Sequence, residues 1–194
     1  MEKSSKDQKD MSYVSDAEEV VRVKSVKVEG ATISSLQDLF LKELKDIYSA
    51  EKQLIVAFPK MVDAATSPEL KDAFEDHLDI TEVHVKRLDE VFSLLDLSPI
   101  SRKSETMKCL IEDAEKRISE INDLTVRDAA LICSMQKLEH YEIATYGCLR
   151  TYAMVLGYGE AADLLQATLD EEGTVDEKLS HIAISYVNEE ANYE

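Results

Sequence analysis

The stretch that decides the fold runs from residue 132 to residue 153 and reads ICSMQKLEHYEIATYGCLRTYA. Its core-type positions Ile132, Met135, Tyr146, Leu149 and Ala153 return every three or four residues, the period of one helix face. In the middle of that face, where Leu or Ala would continue the stripe, stand Glu139 and Glu142. A carboxylate carried into an apolar seam is costly unless something positive meets it. This helix is predicted to start near Thr125 and to stop at Gly157-Tyr158-Gly159, a C-cap signal.

The same reading extends outward along the chain. Ser35-Leu36-Gln37-Asp38 has the form of an N-cap with an acid in the first turn. The seam that follows, Phe40, Leu44, Ile47, Leu54 and Phe58, carries Glu51 at its centre, and Pro59 is expected to bend the helix. Ser67-Pro68-Glu69 starts a second helix, with a seam through Phe74, Leu78, Thr81, Val85, Leu88 and Phe92. Residues 97–103 form a connector, and Ser104 caps a shorter helix through Ile121. The last long helix runs from Glu160 to Tyr186 along Ala161, Leu165, Thr168, Leu179 and Ala183, interrupted by Glu172 and Asp176. Four long amphipathic helices predict an all-α four-helix bundle over residues 32–190, with a short extra helix in the long crossover. Residues 1–31 lack a helical stripe and read as a flexible N-terminal extension.

The 194 residues carry a net charge of -18, which argues against nucleic acid as a direct partner, because phosphates repel such a surface. No apolar run has spanning length and no signal-peptide core stands out, so a cytoplasmic protein without a membrane partner is expected. Cys109, Cys133 and Cys148 form no metal-binding cluster and are expected as small core thiols.

The acids on the seams also share a height. Residues equidistant from an antiparallel turn face each other. A first turn near residue 66 sets Glu51 level with residues around 81, and a second near 158 sets Glu139 and Glu142 opposite Glu172 and Asp176. On the second helix His77, Glu82 and His84 all reach that height. The angular count puts His77 nearest the seam after Thr81 and leaves Glu82 and His84 borderline; the expected order as ligands is His77, then Glu82, then His84. Carboxylate-dominated ligation with imidazole suits iron or manganese, and a dinuclear site is the known construction of this kind in a bundle core. The expected metal ligands are therefore Glu51, His77, Glu82, Glu139, Glu142, Glu172 and Asp176. Tyr48, about one turn before Glu51, is a candidate to hydrogen-bond a ligand or quench a radical, with a plain core tyrosine as the alternative.

Several stretches match a known family. They are Asp46-Ile-Tyr-Ser-Ala-Glu-Lys-Gln-Leu54, Ala65-Thr-Ser-Pro-Glu-Leu70, His77-Leu78 with Thr81, and Val126-Arg-Asp-Ala-Ala-Leu-Ile132. Gln136-Lys-Leu-Glu-His-Tyr-Glu-Ile-Ala144 and Leu169-Asp-Glu-Glu172 with Asp176-Glu-Lys-Leu179 complete the set. Over about residues 33–188 the chain resembles the YciE/YciF-type stress proteins of the ferritin-like superfamily. The resemblance implies a ferritin-like bundle, a di-iron site, a dimer and a link to stress responses. Glu139-xx-Glu142 also resembles the third-helix pair of rubrerythrins. Glu172-xxx-Asp176 is a looser likeness to their fourth-helix pair, with Asp in place of His and one extra residue between. Ile80 and Gly173 depart from the pattern, and no rubredoxin-like CxxC domain follows.

The function expected is therefore that of a di-iron-carboxylate stress protein oxidising Fe(II) with peroxide or dioxygen, as a ferroxidase- or peroxidase-like oxidoreductase. The alternatives are a non-enzymatic oligomeric protein with a structural or buffering metal, and a metal-free interaction module. Ile80 and Val83, on the outer side of the second helix, together with the resemblance, lead to a homodimer as the expected assembly.

Overall fold

Three serines begin three helices at the predicted positions. In a computed structural model, which describes residues 33–100 and 102–193, Ser35, Ser67 and Ser104 accept the amide protons of Asp38, Leu70 and Met107. They cap α1 (Leu36–Ala64), α2 (Pro68–Leu94) and α3 (Glu105–Glu120). Asp123 caps α4 (Leu124–Val155) by accepting from Thr125 and Val126. After α4, Gly157 turns the chain at a φ of 81°, a left-handed value that an L side chain resists. There α5 (Gly159–Ile182) begins. Pro59 lies inside α1, which continues through it as one helix.

The sequence predicts one helix to Tyr186, but α5 ends at Ile182 and the chain widens into a π-helical stretch, Ala183–Val187, before the short α6 (Asn188–Glu190). Tyr186 in that stretch donates to Glu69 Oε2 at 2.8 Å and also bonds Ser67 Oγ, so the wide turn meets the start of α2.

Helix directions follow from which ends meet. Asp128, near the start of α4, accepts from Thr66 N, Thr66 Oγ1 and Ser67 N at 2.9, 2.7 and 2.7 Å. The start of α4 therefore lies beside the α1–α2 turn. Helices α1 and α5 run one way, α2 and α4 the other. Each of the four long helices packs on two of the other three: α1 on α2 and α4, and α5 on α4 and α2. The crossover must return the full length of the bundle, and it does so with α3 laid against α1 and α4. This is the all-α, ferritin-like four-helix bundle expected, with its extra helix in the crossover.

Apolar layers fill the ends of the core. Phe40 and Leu44 with Leu149, Ala153 and Leu165 lie toward one end; Met61, Leu70 and Phe74 with Ile132 and Ile182 lie toward the other. Between them is a buried level of Glu51, His77, Thr81, His84, Glu139, Glu142, Thr168 and Glu172. The cysteines are not core thiols: all three are exposed. Cys133 follows the seam residue Ile132 and Cys148 precedes Leu149, and one residue turns a side chain by about 100° off the stripe. No helix among the described residues is long and apolar enough to cross a membrane. The extension expected over residues 1–31 lies outside the described residues.

Candidate metal centre

Each of the four long helices sends ionisable side chains into the polar level. Helix α1 contributes Glu51, α2 His77 and His84, α4 Glu139 and Glu142, and α5 Glu172, each no more than 1% exposed. The two histidines are seven residues apart. Seven residues make two helical turns less about 20°, so both rings leave the same face of α2, with Thr81 between them. The Thr81 hydroxyl is turned back to the His77 carbonyl at 2.8 Å and offers the level no hydrogen.

The donor atoms fall into two groups that share one residue. His77, Glu139, Glu142 and Glu172 form the first; Glu51, His84 and Glu172 form the second; within each, the atoms lie within 4.8 Å of one another. His77 Nε2 stands 3.1 Å from Glu139 Oε1 and 3.9 Å from Glu172 Oε2. His84 Nδ1 stands 3.0 Å from Glu172 Oε1 and 3.6 Å from Glu51 Oε1. Such separations match donors around a common cation: two bonds of about 2.1 Å at right angles place their donors about 3 Å apart.

These atoms are short of partners. Both oxygens of Glu139, Glu142 and Glu172, Oε2 of Glu51, both nitrogens of His77 and Nδ1 of His84 are buried without a hydrogen bond. Outside the level, the only such atoms among the described residues are Gln53 Oε1 and Arg127 Nε. Buried polar atoms are normally satisfied, so a concentration of orphans at one height marks a missing partner that accepts lone pairs. Glutamate oxygens and neutral imidazole nitrogens fit a first-row divalent cation, and these His and Glu groups could hold a metal ion.

Electrostatics point the same way. Burial, then the charge of Glu172, pushes Glu139 well above the usual carboxylate range. Burial, then Glu51, does the same to Glu142. Glu51 is raised by burial despite the neighbouring imidazole of His84. Burial works against the charge on Glu172 as well, but His84 and His77 outweigh it and hold its pKa below the ordinary value. Burial takes His77 down to about 4. For His84 burial is outweighed by Glu172 and Glu51, which lift it to about 10. Without a cation the level thus holds itself together with protons.

Two residues expected as ligands do not join either group. Glu82 is exposed, because it lies one position and about 100° beyond Thr81, off the face that His77 and His84 share. Asp176 is four residues, just over one turn, beyond Glu172, about 6 Å along the axis. There it is partly exposed and accepts from Gln136 Nε2 at 3.1 Å, with His140 Nε2 at 3.4 Å. His84, ranked last on α2, is fully buried beside Glu51 and Glu172. The signal for it was the seven-residue spacing from His77.

Tyr48 packs edge-on to Phe92 at 5.5 Å, and burial and Asp89 raise its pKa. The tyrosine that reaches a candidate ligand is Tyr146, read from sequence only as a seam residue. Its hydroxyl, wholly buried, donates to Glu51 Oε1, and burial and Glu51 keep it protonated. Beyond the level, Glu171 Oε2 lies 2.9 Å from His84 Nε2.

The comparisons with known proteins agree with this fold. Over 164 residues the chain is 44% identical to Protein YciF of Escherichia coli (strain K12), a match covering 82% of this chain and 96% of that one. The crystal structure of the E. coli stress protein YciF superposes with a TM-score of 0.78, covering 80% of this chain and 99% of that one. YcfI of Rhodopseudomonas palustris is 38% identical with a TM-score of 0.76, covering 78% and 97%. A protein from Xanthomonas campestris pv. campestris, 22% identical with a TM-score of 0.62 over 81% of this chain and 99% of its own, shares the fold. The family model described as "Domain of unknown function (DUF892)" matches residues 35–192, and the chain belongs to this family, that of the YciF-type stress proteins.

Proposed function

We propose that the bundle is a dinuclear metal–carboxylate protein, with iron as its metal, that oxidises Fe(II) at the expense of peroxide or dioxygen. The observation that carries this is the pair of donor groups joined at Glu172, every ligand atom of which is buried. The charges also balance: Glu51, Glu139, Glu142 and Glu172, when ionised, carry the four negative charges that two divalent cations neutralise. Bound iron would supply the electrons for reducing a small oxidant. The side chains of this chain do the rest. Glu172 would be shared between the two positions. His77, Glu139 and Glu142 complete one, and His84 and Glu51 the other. Tyr146 orients Glu51 and holds a proton next to it. The apolar layers above and below exclude bulk water.

A second reading is favoured by one feature, the burial of all six side chains. A sealed centre suits a structural or buffering metal as well as a reacting one, because structural sites are closed and catalytic sites keep a position open. Anaerobic reconstitution with Fe(II), followed by metal analysis and peroxide addition, separates the readings. About two equivalents of iron per chain are expected, as in dinuclear bundles. Rapid peroxide-dependent oxidation supports the redox role. Retained iron that does not react with peroxide supports the structural one. A folded protein that takes up no iron removes both.

A further inference from the structure

The two histidines are held differently, and the difference reaches the surface. His84 Nε2 lies 2.9 Å from Glu171 Oε2, while His84 Nδ1 faces Glu172 and Glu51. Glu171 is itself clamped: Arg87 Nη1 donates to its Oε2 at 2.8 Å and Arg87 Nη2 to its Oε1 at 3.0 Å. The same Nη1 donates to Thr168 Oγ1 at 2.7 Å, so the guanidinium bridges α2 to α5. His77 has nothing of the kind. Neither of its nitrogens has a hydrogen-bond partner, and its ring stands edge-on to Phe58 at 5.0 Å.

We propose that Glu171, gripped by Arg87, is the positioning residue for one of the two metal positions, the one built from Glu51, His84 and Glu172. This rests on the dinuclear reading above. A metal binds His84 in its neutral form, and a neutral imidazole whose Nε2–H is bound to a carboxylate presents its Nδ1 lone pair in a fixed plane. The bidentate fork of Arg87 fixes that carboxylate in turn, which a single lysine contact would not. The positions differ in how much they need this. The His77 position has three carboxylates, Glu139, Glu142 and Glu172; the His84 position has only Glu51 and Glu172, and so depends more on its imidazole. The Glu171 side chain is 40% exposed, whereas His84 is fully buried, so this contact links the sealed centre to solvent.

The test is a cobalt(II) titration of the metal-stripped full chain, read by calorimetry and by the visible absorption of each bound ion. The wild type is expected to bind cobalt in two steps. Glu171→Gln is expected to weaken one step about 10–100-fold, the usual effect of losing the carboxylate behind a metal-bound imidazole, and to leave the other unchanged. Arg87→Lys, which keeps the charge but loses the fork, is expected to weaken the same step to a smaller degree, and it carries the test if Glu171→Gln does not fold. Two unchanged steps in both variants would overturn the proposal while leaving the dinuclear reading intact. So would a lower melting temperature with both affinities unchanged, since that would make Arg87–Glu171 a plain strap between helices. A wild type that binds no cobalt would remove the dinuclear reading, and this inference with it.

Discussion

Replacing Glu142 by methionine is expected to make the metal-free protein more stable and the metal-loaded one less so. Glu142 is fully buried, neither oxygen has a hydrogen bond, and no ion pair reaches it. Burial and Glu51 drive it toward the protonated form. A neutral carboxyl buried without partners costs about 1–3 kcal/mol, and an ionised one several times that. Methionine has nearly the same length and fills the gap without a polar atom. Glu142→Met should therefore stabilise the metal-free bundle by about 2 kcal/mol, or roughly 4–8 °C in melting temperature for a chain of this size. With metal the order reverses. A cation at a hundred times its dissociation constant stabilises the wild type by about 2.7 kcal/mol per position, and the variant has lost a donor from the His77 position. Melts followed by circular dichroism in chelator, and again with anaerobic Fe(II), give both differences. A metal-free variant that melts several degrees below the metal-free wild type would refute the reasoning, because Glu142 would then be a structural partner and not a waiting ligand.

Four further outcomes are expected. Between pH 6.5 and 10 the metal-free protein should lose stability as pH rises. Glu51, Glu139 and Glu142 have folded pKa values above the ordinary 4.5, and His84 has one of about 10 against 6.5, so each contributes stability that disappears as its folded pKa is passed. His77, depressed to about 4, acts oppositely but only below pH 6.5, and metal binding should strengthen over the same rise in pH; paired melts at pH 7 and 9 test both trends. Asp128→Ala should cost about 3 kcal/mol in a denaturant titration by orphaning the Thr66 and Ser67 donors, with metal uptake preserved. Gly173→Ala should add about 1 kcal/mol, since an added Cβ meets nothing within 4 Å in a helix that gains from alanine; unchanged or lower stability in a melt would contradict this. Light scattering at low and high salt should give the mass of a dimer, with the half-buried Ile80 and the exposed Val83 on α2 as the contact to mutate.

The bundle was legible because its information is periodic. Seams at helical spacing, serine caps at Ser35, Ser67 and Ser104, and Gly157 after α4 each rest on local geometry that tertiary contacts did not overrule. The buried polar level was legible where an acid interrupts the middle of an apolar stripe, as with Glu51, Glu139, Glu142 and Glu172. It became illegible at the edges of the stripe. On α2 both Glu82 and His84 sit at the edge of the stripe and the expected order puts Glu82 first, yet Glu82 is turned about 100° from Thr81 and His84 about 60° the other way, which is enough to put Glu82 in water. Asp176 had the right face but lay too far along the axis, where a side-chain amide satisfies it. Tyr146 looked like any aromatic core residue, since nothing local says that a phenol will meet a glutamate on another helix. The pairing of Arg87 with Glu171 across two helices likewise has no local signal.

What the sequence could convey was the cost of the polar level, and that cost is the strongest argument about function. Glu51, Glu139, Glu142 and Glu172 stand in the middle of a core that apolar layers already fill at both ends. If each buried carboxyl forfeits about 1–3 kcal/mol, the level consumes a large share of the roughly 5–15 kcal/mol that a domain has in total. Packing does not ask for this: Leu44 and Leu54 flank Glu51 on the same face of α1 and show what the bundle would otherwise carry there. Two of the acids also recur on one turn of α4, so the like-charge repulsion is built in at the closest helical spacing. A fold that needed only stability would lose an unpartnered member such as Glu142 by a single substitution, and that loss would be an improvement. Its presence, with donors from all four helices aimed at two points that meet in Glu172, is accounted for when positive charge arrives from outside the chain.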